Sequence, residues 1–396
     1  MAGNSRACFA ALTVFLACAP VLRAQDRQAA DPAPAAPAAQ NEERGLRKYM
    51  THPPEMDQGG GLHFTKHWAV VFGGIKSGSS IALGPAVSTA FANGGYAQVK
   101  GVYSIRRFSL LQARYDTPQF WHHRAMIVSR VRWQDAPVLD LYQLGPESSR
   151  ARGRYGERKS ELRSELAFSL SRLVHGSAGF GLERFAISPG AVEVGEDHPL
   201  AAIPLEPGLA DHPWFTHTFL SLAVDTKQTG YTRSGRVIDG TVDDYRDWHL
   251  GVYAFQRAEV GAQQLLPIAS RDSLEIAGRI RGSAAGPGHD VPFFLMPTLG
   301  GGDYLEAFNA YRFRDRAAAW AKLEYRHAVH EMFDVVGFYE LGTVAPSLGS
   351  LSAGRAAPSV GAGVIAHSKT ANFARVAVAH GRDGYHFTIM FIPGGA

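Results

Sequence analysis

"SELRSELAFSL", residues 160 to 170, decides the fold class of this chain. Glu161, Arg163 and Glu165 recur at a spacing of two, and so do Leu162, Leu166, Phe168 and Leu170, offset by one. A helix would bring every third or fourth residue onto one face. A spacing of two puts the charged set on one side of a β-strand and the apolar set on the other.

The same alternation returns along the chain. In "AWAKLEYRH" (319–327), Trp320, Lys322, Glu324 and Arg326 alternate with Ala321, Leu323 and Tyr325. In "SLEIAGRIRG" (273–282), Glu275, Arg279 and Arg281 alternate with Leu274, Ile276 and Ile280. The segments run for about ten to twelve residues, against roughly five or six for an ordinary globular strand. A tilted strand needs about nine to eleven residues to cross a bilayer.

Strand starts can be placed near residues 66, 80, 95, 108, 122, 159, 175, 214, 235, 250, 272, 316, 332, 358, 371 and 384. Tight reversals are expected at "ANGG" (92–95), "VHGS" (174–177), "PIAS" (267–270) and "SKTA" (368–371). Long polar connections follow the fifth, seventh, eleventh and thirteenth strands, all on one side of an up-and-down array. Short turns on one side and long loops on the other mark an outer-membrane barrel. Closing the sheet also satisfies every backbone group in lipid. The expected fold is therefore all-β: a transmembrane antiparallel up-and-down barrel of about 16 strands.

Composition agrees. Glycine is abundant at 43 residues, aromatics make up 11% and charged residues 19%, less than the usual quarter. A formal charge of +4 with no basic run gives no footprint for nucleic acid. Arg6 followed by "ACFAALTVFLACAPVL" and "RAQ" reads as a secretory signal over residues 1–24, with lipidation at Cys18 as the alternative. The Ala/Pro-rich segment 25–61 reads as a disordered linker and 62–396 as the barrel. Cys8 and Cys18 both fall in the signal, so no thiol chemistry is expected in the mature chain.

Enzyme signatures are lacking. "GGIKSGSS" (73–80) has Ile75 where a phosphate loop needs glycine, and no G-x-S-x-G elbow occurs. The 16 histidines include "HAVH" (327–330) but no H-E-x-x-H, so neither metal nor cofactor is expected. The last strand, "GYHFTIMF", puts Tyr385, Phe387, Ile389 and Phe391 on one apolar face. Such a strand is the kind read by barrel-assembly machinery.

The order "FFLMPTLGGGDYLEAFNAYRFRDR" (293–316), "AKLEYRH", "VVGFYELGTVAP", "PSVGAGV" and "YHFTIMF" resembles the barrel of the BamA/TamA superfamily, the bacterial surface antigen family. Earlier, "LDLYQLGPESS" resembles an outer-loop segment of short members, and "VDTKQTGYTRSG" their periplasmic turn. The resemblance implies a sixth outer loop folded back into the lumen. The family's loop motif is Leu/Val/Ile-Arg-Gly-Phe, which stands here as Leu305-Glu306-Ala307-Phe308. Its partner, Phe-x-Asp-x-Gly, stands as Phe338, Glu340 and Gly342 on a lumen-facing strand. With Glu306 in the arginine position, the expected ion pair is rewired to Glu340–Arg312 or Glu340–Arg314.

The implied role is to assist insertion or translocation of outer-membrane proteins or surface molecules, from the bacterial outer membrane. Partners would be outer-membrane lipid and lipopolysaccharide, client proteins, and a separate periplasmic protein to deliver them. A passive pore lined by Lys322, Glu324, Arg326, Arg279 and Arg281 is a second reading, and an outer-membrane lipid hydrolase a third.

Overall fold

The computed structural model describes residues 59–391 apart from 66, 149–152, 190–206, 210, 228–232, 303 and 368–371. The expected signal and almost all of the expected linker lie outside these residues, as does the "SKTA" reversal.

A short strand, β1 (Gly59–His63), precedes β2 (Trp68–Gly73), β3 (Ala82–Ala90), β4 (Tyr96–Ser104), β5 (Ser109–Asp116) and β6 (Ala125–Leu141). Then come β7 (Gly153–Ser169), β8 (Val174–Pro189), β9 (Trp214–Asp225), β10 (Gly235–Asp247), β11 (Ala254–Pro267) and β12 (Asp272–Ala285). Two-residue strands β13 (Thr298–Leu299) and β14 (Phe313–Arg314) interrupt the series. It resumes with β15 (Ala317–His330), β16 (Phe333–Ala345), β17 (Ala357–His367), β18 (Asn372–Gly381) and β19 (Gly384–Phe391).

Each long strand pairs antiparallel with the next, and β12 pairs directly with β15, stepping over the segment 286–316. The result is a nearly closed barrel of 16 antiparallel strands, to which β1 adds a short hairpin partner for β2.

The two faces are inverted relative to a soluble sheet. Leu162, Ile276, Leu323 and Phe387 point outward at 50%, 47%, 46% and 59% exposure, whereas Glu161, Glu275 and Glu324 point inward at 5%, 2% and 0%. An apolar exterior of this extent is stable only against hydrocarbon. The charged interior is tolerable because its members neutralise one another. Tyr385, Phe387 and Ile389 likewise face outward.

Strand boundaries depart from expectation where local composition misleads. β1 lies mostly in "GGG", which reads as linker. β7 begins at Gly153 rather than near 159, because "GRYGER" looks like loop yet places Tyr155 and Glu157 in the interior. "VHGS" opens β8 and does not turn. The reversal is 170–173, where the Ser171 hydroxyl accepts from the amides of Leu173 and Val174 at 3.2 and 3.1 Å. β10 is polar because Asp239 and Asp243 face the interior, meeting Arg279 at 3.0 Å and Arg257 at 3.1 Å.

The inward-folded loop as candidate functional site

The connection from β12 to β15 turns into the barrel. A 3-10 turn at Phe293–Leu295 begins it, and the β13–β14 ladder pairs Thr298 with Arg314 and Leu299 with Phe313. This two-rung clamp closes the base of the excursion 300–312. Gly300 starts it with φ +110°, and an added Cβ would lie 2.2 Å from the Asn309 carbonyl oxygen, so the two limbs touch backbone to backbone. Leu305 holds φ +61°, a conformation that costs a β-carbon residue about 1 kcal/mol or more and persists only under tertiary constraint.

That constraint is steric and polar together. Leu305, Ala307 and Phe308 are buried in a cluster with Val336, Phe338, Ala377 and Ala379 of the wall. Two wall glycines make the seats. A Cβ on Gly342 would stand 2.7 Å from the Leu305 side chain, and one on Gly381 would stand 2.9 Å from the Phe308 ring.

Glu340 of β16 receives the loop backbone. Its carboxylate accepts the Glu306 amide at 2.7 Å, the Ser359 hydroxyl at 3.0 Å and the Trp320 indole N–H at 3.2 Å. Ser359 in turn accepts the Ala307 amide at 3.2 Å. Neither Arg312 nor Arg314 is brought to Glu340, so the expected rewired pair does not form. Both arginines lie on the returning limb, near the outer end, and have other partners. Arg312 bonds Asp383 at 2.6 Å and the Ser148 hydroxyl and carbonyl at 2.6 and 2.9 Å, between the rings of Tyr142 and Phe313. Arg314 sits over Phe293, Tyr155 and Tyr311 at 5.1, 5.8 and 5.5 Å.

At the loop tip the ion pair is Glu306 with Arg375. Arg375, on β18, bonds Glu306 at 2.8 Å and Glu324 at 2.7 Å, and stacks over Phe338. The polarity of the expected motif is thereby exchanged: the acid rides on the loop and the arginine stands on the wall. Because the Glu306 amide, not its carboxylate, points at Glu340, the two acids share the site without a head-on contact. Burial still pushes the Glu306 carboxyl up to about 7 despite Arg375, with Glu340 nearby adding to the rise. Farther along the loop, burial also raises Asp315.

The expected lumen-lining residues are engaged in ion pairs. Lys322 bridges Glu275 and Glu324 at 2.9 and 3.3 Å, and Arg326 pairs with the same two acids. Arg279 and Arg281 share Glu259. Arg375, Ser359 and Trp320 escaped the sequence reading as site members. For Arg375 a signal existed: it is the single cation in the apolar alternation "FARVAVAH". Ser359 and Trp320 carry no distinguishing mark.

No family model matches the chain. No curated protein matches it either. Solved structures do. The chain is similar to BamA from Haemophilus ducreyi lacking POTRA domains 1–3, with a TM-score of 0.59 and 13% identity, over 83% of this chain and 70% of that one. It is similar to CdiB from Escherichia coli, with a TM-score of 0.54 and 13% identity, over 88% and 68%. For CdiB from Acinetobacter baumannii the TM-score is 0.51 at 12% identity, over 84% of this chain and 58% of that one. Identity this low speaks to architecture: the chain has the 16-stranded barrel fold of BamA and CdiB, with its long loop turned inward.

Proposed function

We propose that this protein is a BamA-like outer-membrane barrel whose inserted loop keeps the lumen closed while the barrel assists insertion or translocation of proteins or surface molecules. The observation that carries this reading is the docked loop. Its tip is seated on two wall glycines, tied by backbone to Glu340 and Ser359, and paired through Glu306 with Arg375. Side chains alone could fill or line a passive pore; a dedicated seat for a loop is additional structure that a pore does not need. An outer-membrane location is supported by the apolar exterior together with the short turns and long loops on opposite ends. Clients, and a periplasmic partner to deliver them, belong to the same proposal, as does a non-catalytic role.

Two measurements test it. Vesicles carrying the purified protein should speed the folding of a urea-denatured outer-membrane barrel added from outside, relative to empty vesicles. In planar bilayers the intact protein should conduct little, and removal of 299–316 should raise conductance. No acceleration would remove the insertion role. A large steady conductance of the intact protein would favour the pore.

A further inference from the structure

The outward face of the barrel is largely apolar, and over β6 to β10 polar residues enter it toward the outer ends of the strands. One lateral row there runs Trp133, Ser160, Arg184 and Trp214 across four strands in register, and the Trp248 amide bonds the Trp214 carbonyl at 3.0 Å to extend it. One step toward the inner end, the same register pairs Val131, Leu162 and Leu182, exposed at 56%, 50% and 38%. Beyond that apolar step the row carries two tryptophans and a cation, the residue types that gather at the edge of hydrocarbon.

Arg184 is the distinctive member. It is exposed, its guanidinium lies 5.0 Å from the centre of the Trp214 ring, and no carboxylate pairs with it among the described residues. Arg158, one strand over and two residues nearer the outer end, is exposed at 59% and only loosely opposed by Asp135 at 3.6 Å. Arg246, by contrast, is held bidentate by Asp244 at 2.9 Å. A guanidinium fixed over an indole at the edge of the hydrocarbon presents its fork where lipid phosphates lie, and Arg is the side chain whose geometry fits a phosphate twofold.

We propose that Arg184, braced on Trp214 and assisted by Arg158, binds the phosphate of an anionic membrane lipid on the outside of the barrel wall. The inference rests on the membrane reading above.

The test uses the full-length protein in detergent, examined by native mass spectrometry with dioleoylphosphatidylglycerol or with dioleoylglycerol of the same chains. Phosphatidylglycerol adducts should exceed dioleoylglycerol adducts by about tenfold, the effect of roughly 1.4 kcal/mol. They should fall to the dioleoylglycerol level in Arg158→Gln/Arg184→Gln and persist in part in Arg184→Lys. Equal adducts on wild type and the double variant overturn the proposal. So does displacement by millimolar inorganic phosphate, which would make the site one for the free anion. Flotation with vesicles separates this outcome from the membrane reading: if neither protein floats, that reading fails, whereas two floating proteins with identical adducts remove only the headgroup site. Unchanged heat-shifted electrophoretic mobility of the variants shows that the barrel is intact.

Discussion

Arg375 on β18 and Glu306 at the tip of the inserted loop meet at 2.8 Å, and the same guanidinium reaches Glu324 at 2.7 Å. One cation therefore serves both a loop and its docking wall. Removing it leaves Glu306 without its cation while Glu324 keeps Lys322 and Arg326, and breaking a buried pair from one side costs about 3–5 kcal/mol. Arg375→Met should lower the temperature of heat-induced mobility shift clearly more than Glu306→Gln, which keeps a polar partner for the arginine.

Loop docking should depend on pH through Glu306. Freed into water its carboxyl would titrate near 4.5, whereas docked it titrates near 7. The docked form thus binds the proton more tightly, so its stability is highest below pH 4.5 and falls as pH rises through about 7. Limited proteolysis within 299–316 should be faster at pH 8 than at pH 5, and Glu306→Gln should flatten that difference. A slope of the opposite sign would remove Glu306 as its source.

Gly342→Val tests the seat by bulk alone. Its Cβ would stand 2.7 Å from the Leu305 side chain and 2.9 Å from that of Leu299, and both leucines are already buried. Overpacking of this kind costs roughly 1–3 kcal/mol. Loop protection should fall and bilayer conductance rise while the barrel ladder persists.

Glu340 separates charge from hydrogen bonding. Its three donors are an amide, a hydroxyl and an indole, so Glu340→Gln keeps an acceptor and should cost at most about 1–2 kcal/mol, while Glu340→Leu leaves the Glu306 amide and Trp320 indole without theirs and should cost more. Unfolding in urea-containing detergent would rank the two variants.

The barrel was legible because period two is written into each strand by burial on opposite faces. Long loops at one end were legible too, since polar connections break that period. What composition concealed were strands that leave the hydrocarbon: the first residues of β7 carry glycine and charge because they stand in the outer mouth. The docking polarity was hidden for a different reason. Loop position 306 and wall position 375 are 69 residues apart, and no local pattern says which of several arginines an acid will meet. The sequence shows Glu306 in place of an arginine; only packing shows that its partner is on β18 and not on the loop itself.

The contact between Arg312 and Asp383 joins the loop to the turn just before β19, and the space beside Gly302 is filled by Met390 and Thr388 of that strand. Plug and terminal strand are thus coupled thermodynamically. Anything that draws β19 away from its place must loosen the loop, and by linkage a released loop favours a displaced β19 to the same degree. Whatever displaces β19 would therefore also unplug the lumen, and whatever holds the loop in its seat would hold that strand in the barrel.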